Sequence, residues 1–118
     1  MTQPSKEDIS KIYEAFNLRD VDTVLELMHE NVHWPNGWEG GYVEGHQGVR
    51  EYWSRQWSEI DPKVTPISFT ERADGRMEVW VHQVALDKEG NELFNQAVIH
   101  VYSFENGLIT GMEIEHAK

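Results

Sequence analysis

The chain has 118 residues and no cysteine, so it is long enough for one hydrophobic core and excludes disulfides, thiol nucleophiles and thiolate metal sites. Its 21 acidic residues against 10 basic residues give a net charge of -11, which argues against nucleic acid and anionic membrane surfaces as partners. The polar amino-terminal segment is unlike a signal peptide, and no apolar run is long enough to span a bilayer. We therefore expect a single cytoplasmic domain over residues 1–118.

Helical periodicity predicts three helices in the first half of the chain. Apolar residues recur at helical spacing over residues 5–17 and 20–30, and the short link between these segments predicts two neighbouring, roughly antiparallel helices. A short strand is expected at residues 32–34. A third helix is expected over residues 46–60, ended by Asp61-Pro62.

Strand patterns fill the second half of the chain. Alternating, β-prone segments predict strands over residues 64–72, 76–86, 91–105 and 108–116. Glycine-containing turns join them into an antiparallel meander. Helices followed by a meander predict an α+β fold, in which three helices pack on one face of a strongly curved antiparallel sheet and leave a cone-shaped cavity.

The longest predicted strand, 91–105, decides which residues face that cavity. A three-residue loop at residues 88–90 would place Glu78 opposite His100, and a similar turn at 105–107 would place Met112 opposite His100. This register predicts one inward face made of large side chains: Trp80, His82, Phe94, Val98, Tyr102, Met112 and Ile114. The outward face would carry smaller residues such as Val79, Val81 and Ala97 together with Gln83, and we expect it to form a homodimer interface.

Three phrases of the sequence carry a family resemblance. They are YEAFNLRDVDTVLELMHENVHW, WPNGWEGGYVEGHQGVREYW and HVYSFENGLITGMEIE. With the order of the elements, they resemble the nuclear transport factor 2-like superfamily and, within it, the SnoaL-like and ketosteroid-isomerase-like group, which includes polyketide cyclase-like proteins. The resemblance implies a cystatin-like cone, a ligand cavity between sheet and helices, and a homodimer formed through the outer sheet face.

The catalytic residues of ketosteroid isomerase carry over only in part. Its general base is an aspartate just before a proline, and the matching residue here is Trp34, before Pro35. Asn36 and Glu39, in the following glycine-rich loop, are the candidates to replace that carboxylate. The other matches are His100 for the protonated aspartate, Ile12 or Tyr13 for the tyrosine of the first helix, and Tyr52 and Trp53 for the paired aromatics. Loss of the base argues against steroid isomerisation.

His100 is the predicted acid/base residue, because histidine titrates near neutral pH, and Glu78 would fix its tautomer. The alternative is a core histidine whose hydrogen bonds are satisfied internally. The predicted ligand pocket consists of Tyr13, Phe16, Trp34, Asn36, Trp38, Tyr52, Trp53, Trp57, Trp80, His82, Val98, Tyr102, Met112 and Ile114. His82 and His116 would lie about 10 Å apart, too far to share a zinc ion, so no metal or other cofactor is expected.

Two functions remain open from the sequence, both with a small hydrophobic ligand and a second copy of the chain as partners. The first is a cofactor-free isomerase, cyclase or dehydratase that acts next to a carbonyl group. The second is a non-catalytic ligand-binding or accessory protein of the same fold. A dimerisation module with a filled core is a third reading, which the size of the cavity would decide.

Overall fold

The structure is a computed structural model that describes residues 6–36 and 40–116, without the side chain of His116. Trp38 and Glu39 therefore lie outside the described residues. The helices are α1 (Lys6–Asn17), α2 (Val21–Glu26) and α3 (Gly45–Glu59). The strands are β1 (Met28–Pro35), β2 (Tyr42–Glu44), β3 (Ile60–Glu71), β4 (Met77–Asp87), β5 (Glu92–Glu105) and β6 (Leu108–His116).

The six strands form one sheet in the order β2-β1-β6-β5-β4-β3. Neighbouring strands are antiparallel except β1 and β6, which run parallel. Helix α1 packs on β3 and helix α3 packs on β1 and β3, so the helices cover one face of the sheet. The predicted α+β fold is confirmed, and the parallel pair is an addition to it. No helix in the described ranges is long and apolar enough to cross a membrane.

The predicted end of the second helix is wrong, and the strands after the second and third helices begin earlier than expected. Helix α2 ends at Glu26, because Met28 already pairs with Ile109 of β6. Strand β3 begins at Ile60, directly after α3, and Pro62 lies inside it. Because β3 is an edge strand, the missing N–H of Pro62 removes no hydrogen bond from a central ladder.

The turn between β5 and β6 is shorter than predicted. Asn106 and Gly107 have φ angles of 54° and 80°, as a two-residue type I′ turn requires. The pairing then skips Thr110, so that His100 lies opposite Ile114 rather than Met112. Beyond Thr110 the pairing is displaced by two residues, which keeps each side chain on its predicted face. Met112 and Ile114 therefore still face inward.

The β4–β5 register contains a one-residue bulge that the sequence analysis missed. Leu86 pairs with Glu92 as predicted, but Ala85 pairs with Phe94, which leaves Leu93 unpaired. An odd displacement exchanges the two faces of a strand. The inward residues of β4 are therefore Val79, Val81, Gln83 and Ala85, while Glu78, Trp80 and His82 face outward.

Asn17 docks α1 onto the sheet. Its amide group donates to the carbonyl oxygen of Val64 at 2.7 Å and accepts from the N–H of Val64 at 2.9 Å. The side chain thus replaces the strand partner that the edge strand β3 lacks on this side. Because Tyr13 lies one helical turn before Asn17, these two hydrogen bonds also fix the position of Tyr13 above the inner face of the sheet.

Candidate functional site

A cavity of about 410 Å³ lies between the helices and the inner face of the sheet. This volume is within the range of small-molecule sites. Its wall includes eleven of the predicted site residues: Tyr13, Phe16, Trp34, Asn36, Tyr52, Trp53, Val98, His100, Tyr102, Met112 and Ile114. Further lining residues that were not on that list include Ile12, Gln56, Gln83, Phe94 and Gln96.

Strand β5 runs from the mouth of the cavity to its deep end. Gln96 is exposed, whereas Val98, His100 and Tyr102 are buried on the same face of the strand. The regular alternation of β5 beyond the bulge keeps all of these side chains on the inner face. His100 and Tyr102 thus form the floor, where water is largely excluded.

Four side chains on the floor form a hydrogen-bonded series, which we call the polar chain. The hydroxyl oxygens of Tyr102 and Tyr13 are 2.6 Å apart, and the Tyr13 hydroxyl lies 2.9 Å from Nδ1 of His100. On the other side of the imidazole, Nε2 of Gln83 lies 3.4 Å from Nε2 of His100. The polar chain joins α1, β4 and β5, so its geometry depends on the packing of all three elements.

Burial keeps the polar chain uncharged at neutral pH. Desolvation lowers the pKa of His100 to about 4. Desolvation, together with the neighbouring Tyr102, raises the pKa of Tyr13 well above its usual value. Burial also raises the pKa of Tyr102, and the hydrogen bond between Tyr102 and Tyr13 opposes only part of that rise. The expectation that His100 titrates near neutrality is therefore wrong.

Glu78 does not contact His100, contrary to the predicted pairing. The residue opposite His100 on β4 is Val79, and Glu78 points to the outer face. There its carboxylate accepts hydrogen bonds from Arg72 at 2.9 Å and from Nε1 of Trp80 at 2.9 Å, and both bonds lower the pKa of Glu78. The predicted catalytic pair of His100 and Glu78 is thus wrong, because the bulge at Leu93 separates the two side chains.

Three aromatic or histidine residues of the predicted pocket do not line the cavity. Trp80 and His82 lie on the outer face of β4, where His82 bonds Asn95 of β5. Trp57 lies behind the wall, with its ring centroid 5.4 Å from that of Phe16 and 5.7 Å from that of Trp53. Trp57 therefore supports the wall without forming it.

Gln56 and Gln83 are two of the lining residues that were not predicted from the sequence. Gln56 is buried on α3 and its amide donates to the hydroxyl of Tyr52 at 3.3 Å. The spacing of four residues between them was a usable signal, because residues one helical turn apart share a face. Gln83 was assigned to the outer face by the register error, so nothing in the local pattern identified it.

The polar groups of the wall suit hydrogen bonding to a neutral molecule. Among the described lining residues, the only charged side chain is that of Lys63, which is exposed, and none is a carboxylate. Within those residues, no three histidine or acidic side chains are placed to hold a metal ion. The floor can donate to or accept from one carbonyl or hydroxyl group, and the aromatic wall can pack against apolar rings.

The sequence profile of the SnoaL-like domain family matches residues 9–112. No curated protein matches the chain. Among solved structures, an NTF2-like protein of unknown function from Burkholderia pseudomallei K96243 is 24% identical, with a TM-score of 0.82 over 98% of this chain and 92% of that chain. TerC, co-crystallised with polyporic acid, is 26% identical, with a TM-score of 0.82 and the same coverage of 98% and 92%.

A third structure has the same fold at lower identity. RV0760c from Mycobacterium tuberculosis, in complex with estradiol-17beta-hemisuccinate, is 16% identical, with a TM-score of 0.81 over 96% of this chain and 93% of that chain. These likenesses confirm the predicted nuclear transport factor 2-like, cystatin-like fold.

Proposed function

Because the chain belongs to the SnoaL-like domain family, we propose that it binds a small, neutral, largely apolar molecule in the cavity. A carbonyl or hydroxyl group of that molecule would hydrogen-bond to the polar chain on the floor. The observation that carries this proposal is a set of buried, uncharged hydrogen-bonding groups at the deep end of an aromatic cavity of about 410 Å³.

The wall favours flat, apolar ring systems. Trp34 and Trp53 meet edge to face, with centroids 5.8 Å apart, and Phe16 packs on Trp53 at 5.1 Å. Contacts of this kind hold the rings at fixed angles and present rigid apolar surfaces to a ligand. Burial of such surfaces against an apolar ligand supplies most of the binding free energy in sites of this type.

The floor favours an uncharged polar group. A ligand carboxylate or ammonium group would lose its hydration there without a described counter-charge, and this costs more than one hydrogen bond returns. A carbonyl or hydroxyl group loses less and can exchange its water for Tyr13 or Tyr102. TerC with polyporic acid and RV0760c with an estradiol derivative are relatives in fold that bind small hydrophobic ligands, which supports this class.

The binding proposal is tested by calorimetry with three probes that share one ring system: 2-acetylnaphthalene, 1-(2-naphthyl)ethanol and 2-ethylnaphthalene. We expect the ketone and the alcohol to bind roughly tenfold more tightly than the hydrocarbon, because each gains about one buried hydrogen bond. The His100→Phe and Tyr13→Phe variants should reduce that advantage. Absence of binding by all three probes, or equal affinities, would contradict the proposal.

A second candidate is catalysis on the same ligand, favoured by the placement of the polar chain. Tyrosine hydroxyls in a buried site stabilise negative charge that develops on a carbonyl oxygen during proton removal from the adjacent carbon. The result would be cofactor-free isomerisation, cyclisation or dehydration, with His100 as a weak base above pH 4. Deuterium exchange into the methyl group of 2-acetylnaphthalene discriminates the two functions. Acceleration over buffer that is lost in His100→Phe supports catalysis, and no acceleration leaves binding alone.

The outer face of the sheet supports a homodimer. Trp80 is half-buried and Ala97 is exposed there, so both place apolar surface on this face, and Arg72 lies on it between Glu78 and Glu115. Trp80→Glu would add a negative charge to this face on both copies. We expect sedimentation equilibrium to give twice the chain mass for the wild type and a single chain mass for the variant. A monomeric wild type would refute this assembly.

A further inference from the structure

We infer that Gln83 sets whether the floor of the cavity offers a hydrogen-bond donor or only acceptors, and thereby sets the preference between ketone and alcohol ligands. This inference deepens the proposed function and rests on it. Gln83 also lines the cavity, but it sets this preference as a positioning residue, through His100 and the two tyrosines.

The position of Gln83 follows from the bulge at Leu93. The bulge turns Gln83 inward, where its amide lies 3.4 Å from Nε2 of His100. The opposite ring nitrogen, Nδ1, lies 2.9 Å from the Tyr13 hydroxyl. A neutral imidazole carries one proton, so one nitrogen donates and the other accepts. Whatever Gln83 presents to Nε2 therefore decides the role of Nδ1.

The arrangement in the structure leaves a donor for the ligand. The amide nitrogen of Gln83 faces Nε2 of His100, so Nε2 accepts and Nδ1 donates its proton to the Tyr13 oxygen. Tyr13 and Tyr102 then hold two hydroxyl protons and share one hydrogen bond, which uses one proton. The other proton can be donated to a ligand carbonyl, and both tyrosines line the cavity.

A half-turn of the Gln83 amide reverses the roles of both ring nitrogens of His100. Its oxygen would then accept from Nε2–H of His100, so that Nδ1 accepts the proton of Tyr13. Tyr102 would still donate to Tyr13, as it does in the structure. No hydroxyl proton would remain, and the floor would offer only oxygen lone pairs to the ligand. Glutamine is suited to this role because its amide carries both a donor and an acceptor, and the native protein should therefore bind ketones and alcohols alike.

The test is the Gln83→Glu variant, assayed by calorimetry with 2-acetylnaphthalene and 1-(2-naphthyl)ethanol at pH 8. Position 83 is only half-buried, so at that pH the introduced carboxylate keeps part of its hydration, is ionised and can only accept, which fixes the reversed arrangement. The ratio of the ketone Kd to the alcohol Kd should rise roughly tenfold relative to wild type, because the ketone loses its donor while the alcohol can still donate. Gln83→Met, which fixes neither arrangement, should change the ratio less.

Asn95→Asp is the matched control. It makes the same change from amide to carboxylate on the neighbouring strand, but Asn95 lies on the outer face and bonds His82. The control should leave the ratio at its wild-type value. Circular dichroism and the midpoint of urea unfolding establish that each variant is folded before its ratio is compared.

Nitrogen-15 NMR spectra report the tautomer of His100, which would not change if Gln83 only stabilised the fold. Gln83→Glu should give the tautomer protonated on Nε2, whereas Asn95→Asp should keep the tautomer of the wild type. An unchanged ratio in folded Gln83→Glu, or an unchanged tautomer, overturns the inference while leaving the proposed function intact. Failure of the wild type to bind either probe removes the proposed function instead.

Discussion

The depressed pKa of His100 makes a quantitative prediction about stability. Folding moves this pKa from 6.5 to about 4, because the ring loses water on burial. Because the pKa of His100 is lower in the folded state, its contribution to the free energy of unfolding is fully present above pH 6.5. That contribution is lost as the pH falls from 6.5 towards 4, because the unfolded chain takes up the proton first.

The magnitude follows from the two pKa values. Between pH 7 and 4.5 the linkage reduces the free energy of unfolding by about 2.5 kcal/mol, and about half of the loss has occurred by pH 5.5. Carboxylates also contribute to acid unfolding, so the measurement compares wild type with His100→Gln, which cannot titrate but keeps hydrogen-bonding groups near Tyr13. The difference between the two proteins isolates His100.

The assay is urea unfolding followed by tryptophan fluorescence at pH 7, 5.5 and 4.5, at one protein concentration. The wild type should lose about 2.5 kcal/mol more than His100→Gln across this range. Parallel pH dependences that agree within about 0.5 kcal/mol would refute the buried, neutral state of His100. A wild type that gains relative stability on acidification would show that the ring is paired with an acid instead.

Three further predictions concern the polar chain, the sheet and helix α3. Tyr13→Phe should cost about 2–4 kcal/mol of unfolding free energy and Tyr102→Phe only about 1 kcal/mol, because the Tyr13 hydroxyl bonds both Tyr102 and Nδ1 of His100, and its loss leaves both of those buried groups unpaired. Equal losses in urea unfolding would contradict that order. Gly111→Ala should destabilise the protein by about 1–2 kcal/mol, because its Cβ would lie 3.2 Å from the backbone oxygen of His33 on β1. Gly48→Ala, inside α3 with only an ordinary contact at 3.5 Å, should raise stability by about 0.5–1 kcal/mol, and the opposite signs can be read from thermal unfolding of the two variants.

Much of the fold could be predicted because its strongest signals are local. The apolar stripe of α1 and the alternation of β5 each follow from the period of one element. The prediction that Met112 faces inward was correct although the β5–β6 turn was predicted wrongly, because the two-residue turn and the skipped Thr110 together displaced the pairing by an even number of residues. Predictions that rest on one element's own period were therefore the robust ones.

The predicted pair of His100 and Glu78 was wrong because it depended on the register between β4 and β5, which neither strand determines alone. Leu93 and Phe94 are adjacent apolar residues, and this break in alternation was a signal for a bulge. Which of the two stays unpaired depends on β4, whose own pattern of valines and polar residues fits either face. One unpaired residue moved Glu78 and Trp80 outward and brought Gln83 to His100.

The pKa of His100 could not be predicted from composition. It depends on burial of the ring in the folded protein, and its neighbour there is the Tyr13 hydroxyl rather than the predicted carboxylate. The sequence identified a histidine on an aromatic face, and only the packing of three elements determines that it stays uncharged.

The most direct test of the account is the infrared carbonyl stretch of 2-acetylnaphthalene bound to the protein. Hydrogen bonding from the floor should lower the stretching frequency below its value in an apolar solvent, and Tyr13→Phe should return it towards that value. A bound ketone whose carbonyl frequency equals that in the apolar solvent, or is the same in wild type and Tyr13→Phe, would contradict the claim that the polar chain receives the ligand.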